Sequence, residues 1–498
     1  MRLLATILFF LSTAFAADPS KKPEPSSLAE TAREVKRLID VYSILESRGA
    51  DPINPEQAFY QGAIPGLLRR LDPHSVFFDP GQFEQLKQMQ NSTTKGFGSV
   101  VSVLPGRVIV LQTLPGTPSA KSGLSPGDEI LAVNNIRLDR LNLDQLVGLL
   151  SESKNAPAKL DVRRSGNVRL LQFTLNPEEL QEPSVDRAFL LKPGMGYVRV
   201  SSFEEKTGTQ VHDAIEKLGG AKLAGLVLDL RNNPGGLVTA AVDVASLFLK
   251  PGQTILTIRG RNVAEKEEKV PASAEPYRFP VTILVNAKTA SSSEIVTGAL
   301  QDHDRATVLG EPSFGKGLVQ SVFPLSQSTG VALTTALYYT PSGRSIQKPL
   351  KSEDFALSST AAHPNQLADF HTDKGRKVPG GGGIVPDILV YPSETSRLRN
   401  VLDASGSFLT FATEYTRQNK VTEQFEVSPA LLDRFQAWLF ERQIQPGVAE
   451  WSRERDYIQN RIKAEIFNQA LGVAKGDEVE FQRDPVIQKA VEILTQPN

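Results

Sequence analysis

Val285–Gln320 reads VNAKTASSSEIVTGALQDHDRATVLGEPSFGKGLVQ, and the rest of the chain is organised around it. A serine cluster stands at the start of a helical run. A strand follows, and then Lys316 between two glycines. One short helix–strand unit of this kind can bring a serine nucleophile and a lysine base together. Ser291-Ser292-Ser293-Glu294 also fits a capping box, with Ser291 as N-cap and a buried helix face of Ile295, Ala299 and Leu300. The two roles are compatible, because a helix start exposes the serine oxygen and its dipole favours negative charge.

Lys316 lies beside Phe314 and Val319. Desolvation there disfavours the ammonium and lowers the pKa, as a base for serine requires. Gln320 returns to the same face of an extended chain four residues on, where its amide can orient the amine without adding charge. The amide of Ser292 and the Asn233-Pro234-Gly235-Gly236 turn supply donors for an oxyanion. Gly310–Lys316 also fits the opening of a phosphate-binding loop. Gly317 replaces the required Ser or Thr, however, and LVQSVFPL continues as strand rather than helix. Nucleotide binding is set aside.

The 498 residues are 40% hydrophobic and 22% charged, which suits a globular protein of three or four domains. The formal net charge of −1 offers no overall field for nucleic acid or an acidic membrane surface. With no cysteine there are no disulfides, thiolate metal sites or lipoprotein anchor, and the nucleophile must be an oxygen. MRLLATILFFLSTAFA (1–16) reads as a secretory signal peptide cut between Ala16 and Ala17, too short to span a bilayer, so the expected location is periplasmic or secreted.

The expected fold is α/β and α+β, in several domains. Residues 17–93 are a linker and a helical region, broken by LDPHSVFFDP (71–80), an ordered turn in which His74 bonds locally. Residues 94–178 carry short alternating strands with glycine turns. Residues 179–394 alternate strands and helices, so that LRNNPGG (230–236) and KTASSSE (288–294) both fall at strand ends and can share a site. Residues 350–383 read as a polar insertion with four glycines, a mobile loop in which His363 and His371 are solvated and hold no metal. Residues 395–498 form a helical extension, with one stripe of Leu431, Leu432, Phe435 and Leu439 and another of Trp451, Ile458, Ile462 and Ile466.

Two resemblances follow. The β-rich unit resembles a PDZ domain, on Gly96-Phe97-Gly98-Ser99-Val100 and GLSPGDEILAVNN. PDZ domains add an extended C-terminal peptide to a sheet edge, which points to Gly96–Val100 as the carboxylate-capturing segment. Behind it LDLRNNPGG, TASSSEI, GEPSFGKGLVQ, YYTPSGRSI and GIVPDI, in this order, resemble the carboxyl-terminal processing (tail-specific) protease family over roughly residues 35–392.

That resemblance implies Ser291 as nucleophile, Lys316 as general base and Gln320 as its orienting partner. Gly235 or Gly236 would act with the Ser292 amide as oxyanion donors. It implies cleavage of protein substrates near apolar C-terminal tails, with the PDZ domain binding the tail or gating the site, and no metal or organic cofactor. Ser292 departs from the alanine often found there. In similar proteins C-terminal extensions can support dimerisation, so a homodimer through residues 395–498 stays open. The competing reading is an inactive or autoinhibited PDZ scaffold or chaperone. The inactive form predicts missing catalytic residues, and none is missing; in the autoinhibited form residues 350–383 block the site.

Overall fold

The structure is a computed structural model that describes residues 28–90, 93–104, 106–154, 156–164, 167–181, 183–349, 369–391 and 395–496. The signal-peptide reading, His363 and residues 350–368 of the insertion lie outside them. The chain divides into two units, residues 1–66 and 67–498.

The first unit is helical. α1 (Leu28–Arg48) has no buried residue, and α2 (Pro55–Ala58) is capped by Asn54, whose side chain accepts from the Glu56 amide. A π-helical turn (Phe59–Ala63) leads into α3 (Ile64–Arg69).

The second unit begins with β1 (Val76–Phe78) and α4 (Pro80–Gln90). A ribbon of β2 (Thr93–Gly96) and β9 (Glu178–Gln181) then brackets the PDZ-like domain. Its sheet has the order β3 (Ser99–Leu104), β4 (Arg107–Thr113), β5 (Glu129–Val133), β7 (Ala158–Arg163), β8 (Leu171–Leu175), with β6 (Ile136–Arg137) on β5. α5 (Pro118–Lys121) and α6 (Leu143–Ser153) complete it. Asn142 and Gln145 cap α6 reciprocally, the capping-box geometry that starts a helix sharply. The core of this domain is aliphatic, centred on Val108, Val110, Leu146 and Val162.

The α/β core is a six-stranded sheet in the order β10 (Val185–Lys192), β11 (Met195–Val200), β12 (Gly225–Asp229), β15 (Val281–Val285), β16 (Ala306–Gly310), β21 (Ile388–Leu389). β10 and β11 form an antiparallel hairpin, and every later pairing is parallel. Strands buried on both faces read as continuous apolar runs, as GLVLD and VTILV do.

Successive side chains serve opposite layers. Leu226, Leu228, Ile283 and Val308 join the core cluster that includes α7 (Thr207–Leu218), α8 (Val238–Ser246) and α9 (Ser292–Asp302). Val227, Leu284 and Leu309 face the last helix of the chain instead, meeting Val486, Ile487 and Ala490.

A second, antiparallel sheet holds β1, β18 (Gly330–Tyr339), β13 (Thr254–Arg259) and β14 (Lys266–Lys269), with β17 (Leu318–Pro324) also on β18. The insertion departs from the mobile loop expected of its composition. Its described part folds as β19 (Phe370–His371) against β20 (Lys377–Val378), which also gives His371 strand support. The glycine run is packed, with the Gly381 amide on Ser345 O (2.6 Å) and the Gly383 amide on Ile346 O (2.9 Å). Glycine permits that close approach, since a Cβ on Gly383 would lie 2.7 Å from the Ser313 carbonyl oxygen.

The C-terminal extension comprises α10 (Arg397–Ala404), α11 (Ser407–Gln418), α12 (Pro429–Glu441), α13 (Val448–Ala470), α14 (Val473–Phe481) and α15 (Pro485–Thr495). Both apolar stripes read from the sequence are buried in one cluster. The extension reaches two neighbours. Arg107 of the PDZ-like domain donates to Thr410 (3.4 Å), and α15 covers the open face of the core sheet.

Candidate active site

Parallel strands send their following loops to one edge of a sheet. β12, β15 and β16 therefore deliver the 230–236 turn, the 286–291 turn and the 311–316 loop to the same place. Polar side chains stitch the first two turns together. Asn286 and Asn232 exchange bonds: the Asn232 amide donates to Asn286 Oδ1 and Asn286 Nδ2 to Asn232 Oδ1, each at 3.0 Å. The Ala290 amide donates to Asn233 O (3.0 Å), and Ser292 Oγ to Gly236 O (2.8 Å).

Ser291 stands at the end of this turn with φ 55° and ψ −117°. A side chain in that region is strained, and the surrounding bonds must hold it there. The Ser291 amide donates to Glu294 Oε2 (2.8 Å), while the Glu294 amide bonds the Ser291 carbonyl, so the Ser291 hydroxyl is not spent as a cap.

Glu294 does more than the capping pattern indicated. It is fully buried and also receives Ser313 Oγ (2.5 Å), the Gly315 amide (2.7 Å) and the Lys316 amide (2.9 Å). One carboxylate thus ties the backbone of the serine to the backbone of the lysine. Burial pushes its pKa up, and these donors pull against that shift.

Lys316 Nζ donates to Gln320 Oε1 (2.9 Å), as the spacing predicts, and Gln320 Nε2 donates to the His74 carbonyl (2.6 Å). Burial holds the Lys316 amine below the ordinary lysine range, with the charge of Asp72 opposing. Among the described residues no hydrogen bond joins Lys316 Nζ to the Ser291 hydroxyl. Such bonds are often loose without substrate.

Of the two candidate glycine donors, Gly235 already gives its amide to Asn233 Oδ1 (2.8 Å). Gly236 and Ser292 keep amides without an acceptor among the described residues, which favours that pair for an oxyanion. Gly235 serves by its size. A Cβ there would lie 2.7 Å from the Ser291 Cβ and 2.8 Å from the Ser292 nitrogen.

In the PDZ-like domain, Gly96 ends the β2–β9 ribbon, Ser99 and Val100 begin the edge strand β3, and Gly98 takes φ 73° between them. The Phe97 and Gly98 carbonyls are held by the Ser119 and Leu114 amides (2.8 Å each). Val100 on β3 and Leu143 and Val147 on α6 are exposed, so this edge offers apolar surface beside a free strand.

Sequence reasoning missed several residues of the site. Tyr338 is buried, donates to the Lys316 carbonyl and has the Ser291 hydroxyl as a hydrogen-bond partner; burial raises its pKa, so it stays a phenol. His74, read as a locally bonded turn residue, lies against the lysine assembly. The Asx-turn signal in LDPHS was visible, but nothing in it pointed 246 residues ahead.

Comparisons with known proteins give the family of the chain. Residues 194–357 match the family description Peptidase family S41, and residues 109–164 match PDZ domain. The chain is 33% identical to a carboxy-terminal-processing protease of Bartonella bacilliformis, over 69% of this chain and 81% of that one. It is 36% identical to a carboxyl-terminal-processing protease of Synechocystis sp., over 57% and 68% respectively. A strained serine turn joined by one carboxylate to a desolvated lysine, behind a PDZ domain, is therefore found in a chain that belongs to the carboxyl-terminal processing proteases, serine peptidases of family S41.

Proposed function

We propose that this serine peptidase cleaves proteins near their C-termini through an acyl-enzyme on Ser291, with Lys316 as the general base. The observation that carries this reading is the half-buried Lys316, its amine held by Gln320 and its backbone amide joined to the Ser291 turn through Glu294. A neutral amine takes the Ser291 proton as Oγ attacks the scissile carbonyl carbon. The oxyanion faces the Gly236 and Ser292 amides at the start of α9, where the helix dipole adds to their stabilisation. Collapse breaks the C–N bond, and the Lys316 ammonium returns its proton to the leaving amine. Water, deprotonated by Lys316, then attacks the acyl carbonyl and frees Ser291.

The PDZ domain would take the substrate's apolar C-terminal tail as an added strand on β3, with the exposed Val100, Leu143 and Val147 beside it. Export fits the N-terminal sequence, and no described helix is long and apolar enough to cross a membrane. A homodimer through the C-terminal extension is part of the same reading.

The test is cleavage of an unfolded reporter with an apolar C-terminal tail by wild type, Ser291→Ala and Lys316→Ala. Loss of cleavage in both variants, each still folded, supports the mechanism. Equal cleavage by all three overturns it. No cleavage by wild type, with the tail varied, favours a PDZ scaffold.

A further inference from the structure

The LDPHS segment is not used by the mechanism as derived so far, yet its contacts end at the catalytic base. Asp72 is fully buried and accepts three bonds: from the His74 amide (2.7 Å), the Ser75 amide (2.8 Å) and Ser75 Oγ (2.7 Å). These make a tight Asx turn. Ser75 Oγ in turn receives the Thr334 amide of β18 (3.2 Å), and Val76 pairs with Ala332. The turn is thereby fixed to the sheet that carries Gln320, which is paired with Thr334 in the β17–β18 register. Its outward product is one group, the His74 carbonyl, 2.6 Å from Gln320 Nε2.

A carboxamide has a donor end and an acceptor end, and what one end meets fixes the other. A carbonyl can only accept. Facing His74 O, Gln320 must present its NH₂ there and its Oε1 to Lys316. A neutral amine facing Oε1 spends an N–H on it and keeps its lone pair for the Ser291 hydroxyl. A flipped amide would donate into that lone pair and block the base.

We propose that Asp72 and Ser75 are positioning residues for the peptidase reaction: their turn presents the His74 carbonyl that sets which end of Gln320 meets Lys316. This rests on the Ser–Lys reading above. Neither residue touches substrate. Through the turn both act on Gln320, so that effect falls on kcat and is shared with it; the Asp72 charge also bears directly on the Lys316 amine, so Ser75→Ala isolates the turn.

The experiment measures kcat and KM on the unfolded reporter for the full chain, with Asp72→Ala, Ser75→Ala, Gln320→Ala and Lys316→Ala, the two turn variants each combined with Gln320→Ala, and a melting temperature for each. Each turn variant is expected to lower kcat about tenfold, equivalent to about 1.4 kcal/mol in the barrier, with KM little changed. Combined with Gln320→Ala, each should be no slower than Gln320→Ala alone, because residues acting through one group are not additive. Should Asp72→Ala fail to fold, Ser75→Ala carries the test, since it removes one hydroxyl and leaves both Asp72–amide bonds. Wild-type kcat in a folded turn variant, or losses that multiply with Gln320→Ala, overturn the proposal. Full activity in Lys316→Ala overturns the Ser–Lys reading itself. An inactive Lys316→Ala beside unaffected turn variants removes only the role of the turn.

Discussion

Arg231 Nη1 donates to Asp484 Oδ2 at 2.7 Å, joining the end of β12 to the start of the last helix, 253 residues later. Arg231 Nη2 is held by Asp229 (2.7 Å), which also receives the Tyr197 hydroxyl (2.7 Å). The neighbouring Asp229 and Asp484 charges raise the Arg231 pKa against the effect of burial, so the guanidinium is a fixed charge. The turn that follows Arg231 carries Gly236. The C-terminal extension thus contacts the turn proposed to hold the oxyanion.

Asp484→Ala tests that link. Asp484 also caps α15, accepting the Val486 (2.8 Å) and Ile487 (3.1 Å) amides through Oδ1. Losing the cap and the ion pair together should cost about 1–3 kcal/mol in urea unfolding, with a fall in cleavage rate. Asp484→Asn keeps a cap oxygen and gives up the charge, so its loss should be smaller. Equal stability of Asp484→Ala and wild type would show that α15 holds without its cap.

The architecture and the serine–lysine stretch were legible in the sequence because both rest on short-range patterns. Apolar runs bounded by glycine gave the strands, and Lys316 and Gln320 share a face by simple alternation. Glu294 was legible only as a cap, since the amides it receives from Gly315 and Lys316 arrive after a further strand. Asp484, Tyr338 and the His74 carbonyl act across long separations that carry no local signature. The glycines at 380–383 misled for a related reason. Composition reports freedom, but their backbone is used to approach Ser313, Ser345 and Ile346 closely.

Glu294→Gln should be far more damaging than its size suggests. Both oxygens of Glu294 receive donors, Ser313 and Gly315 on one, Ser291 and Lys316 on the other. An NH₂ in place of Oε2 faces two amide donors, and one in place of Oε1 faces the Gly315 amide, where only the Ser313 hydroxyl can turn to accept, in a site with no exposure. Each buried donor left unpaired costs about 1–3 kcal/mol, so unfolding should shift by several kcal/mol or the two backbones should move apart. Cleavage is expected to fall by roughly a hundredfold or more. Near-normal activity would mean that the serine and lysine are aligned without this carboxylate.

Gly235→Ala should disable the site through shape alone. The added methyl would meet Ser291 Cβ at 2.7 Å and the Ala290 carbonyl at 2.8 Å, at a backbone φ of 96° that disfavours any side chain. Overpacking of this kind costs about 1–3 kcal/mol, and here the atoms that must shift belong to Ser291, the proposed nucleophile, and its turn. A folded, inactive protein that no longer reacts with an acylating probe at Ser291 is the expected result. Retained acylation would show that the turn can open without moving the serine.

The lysine should leave two separate marks on pH dependence. Burial lowers its pKa, so kcat/KM should rise with pH as the neutral amine forms, with a midpoint below the ordinary lysine value of about 10.4. The stability effect has a definite sign. Below the lowered folded pKa, both folded and unfolded chains hold an ammonium and the fold bears its full desolvation cost. Between that pKa and the unfolded value the native chain alone has lost the proton, so stability climbs with pH. Above the unfolded value the cost is gone. Lys316→Met should therefore be inactive yet more stable than wild type near neutral pH, and the two should converge as the solution becomes alkaline. The comparison is best made above about pH 7.5, where the His74 imidazole, whose pKa is lowered by its burial and by Lys316, is already neutral. Melting curves that stay parallel across that range would mean the amine is solvated like any surface lysine, and the base would then lack the property that lets it act.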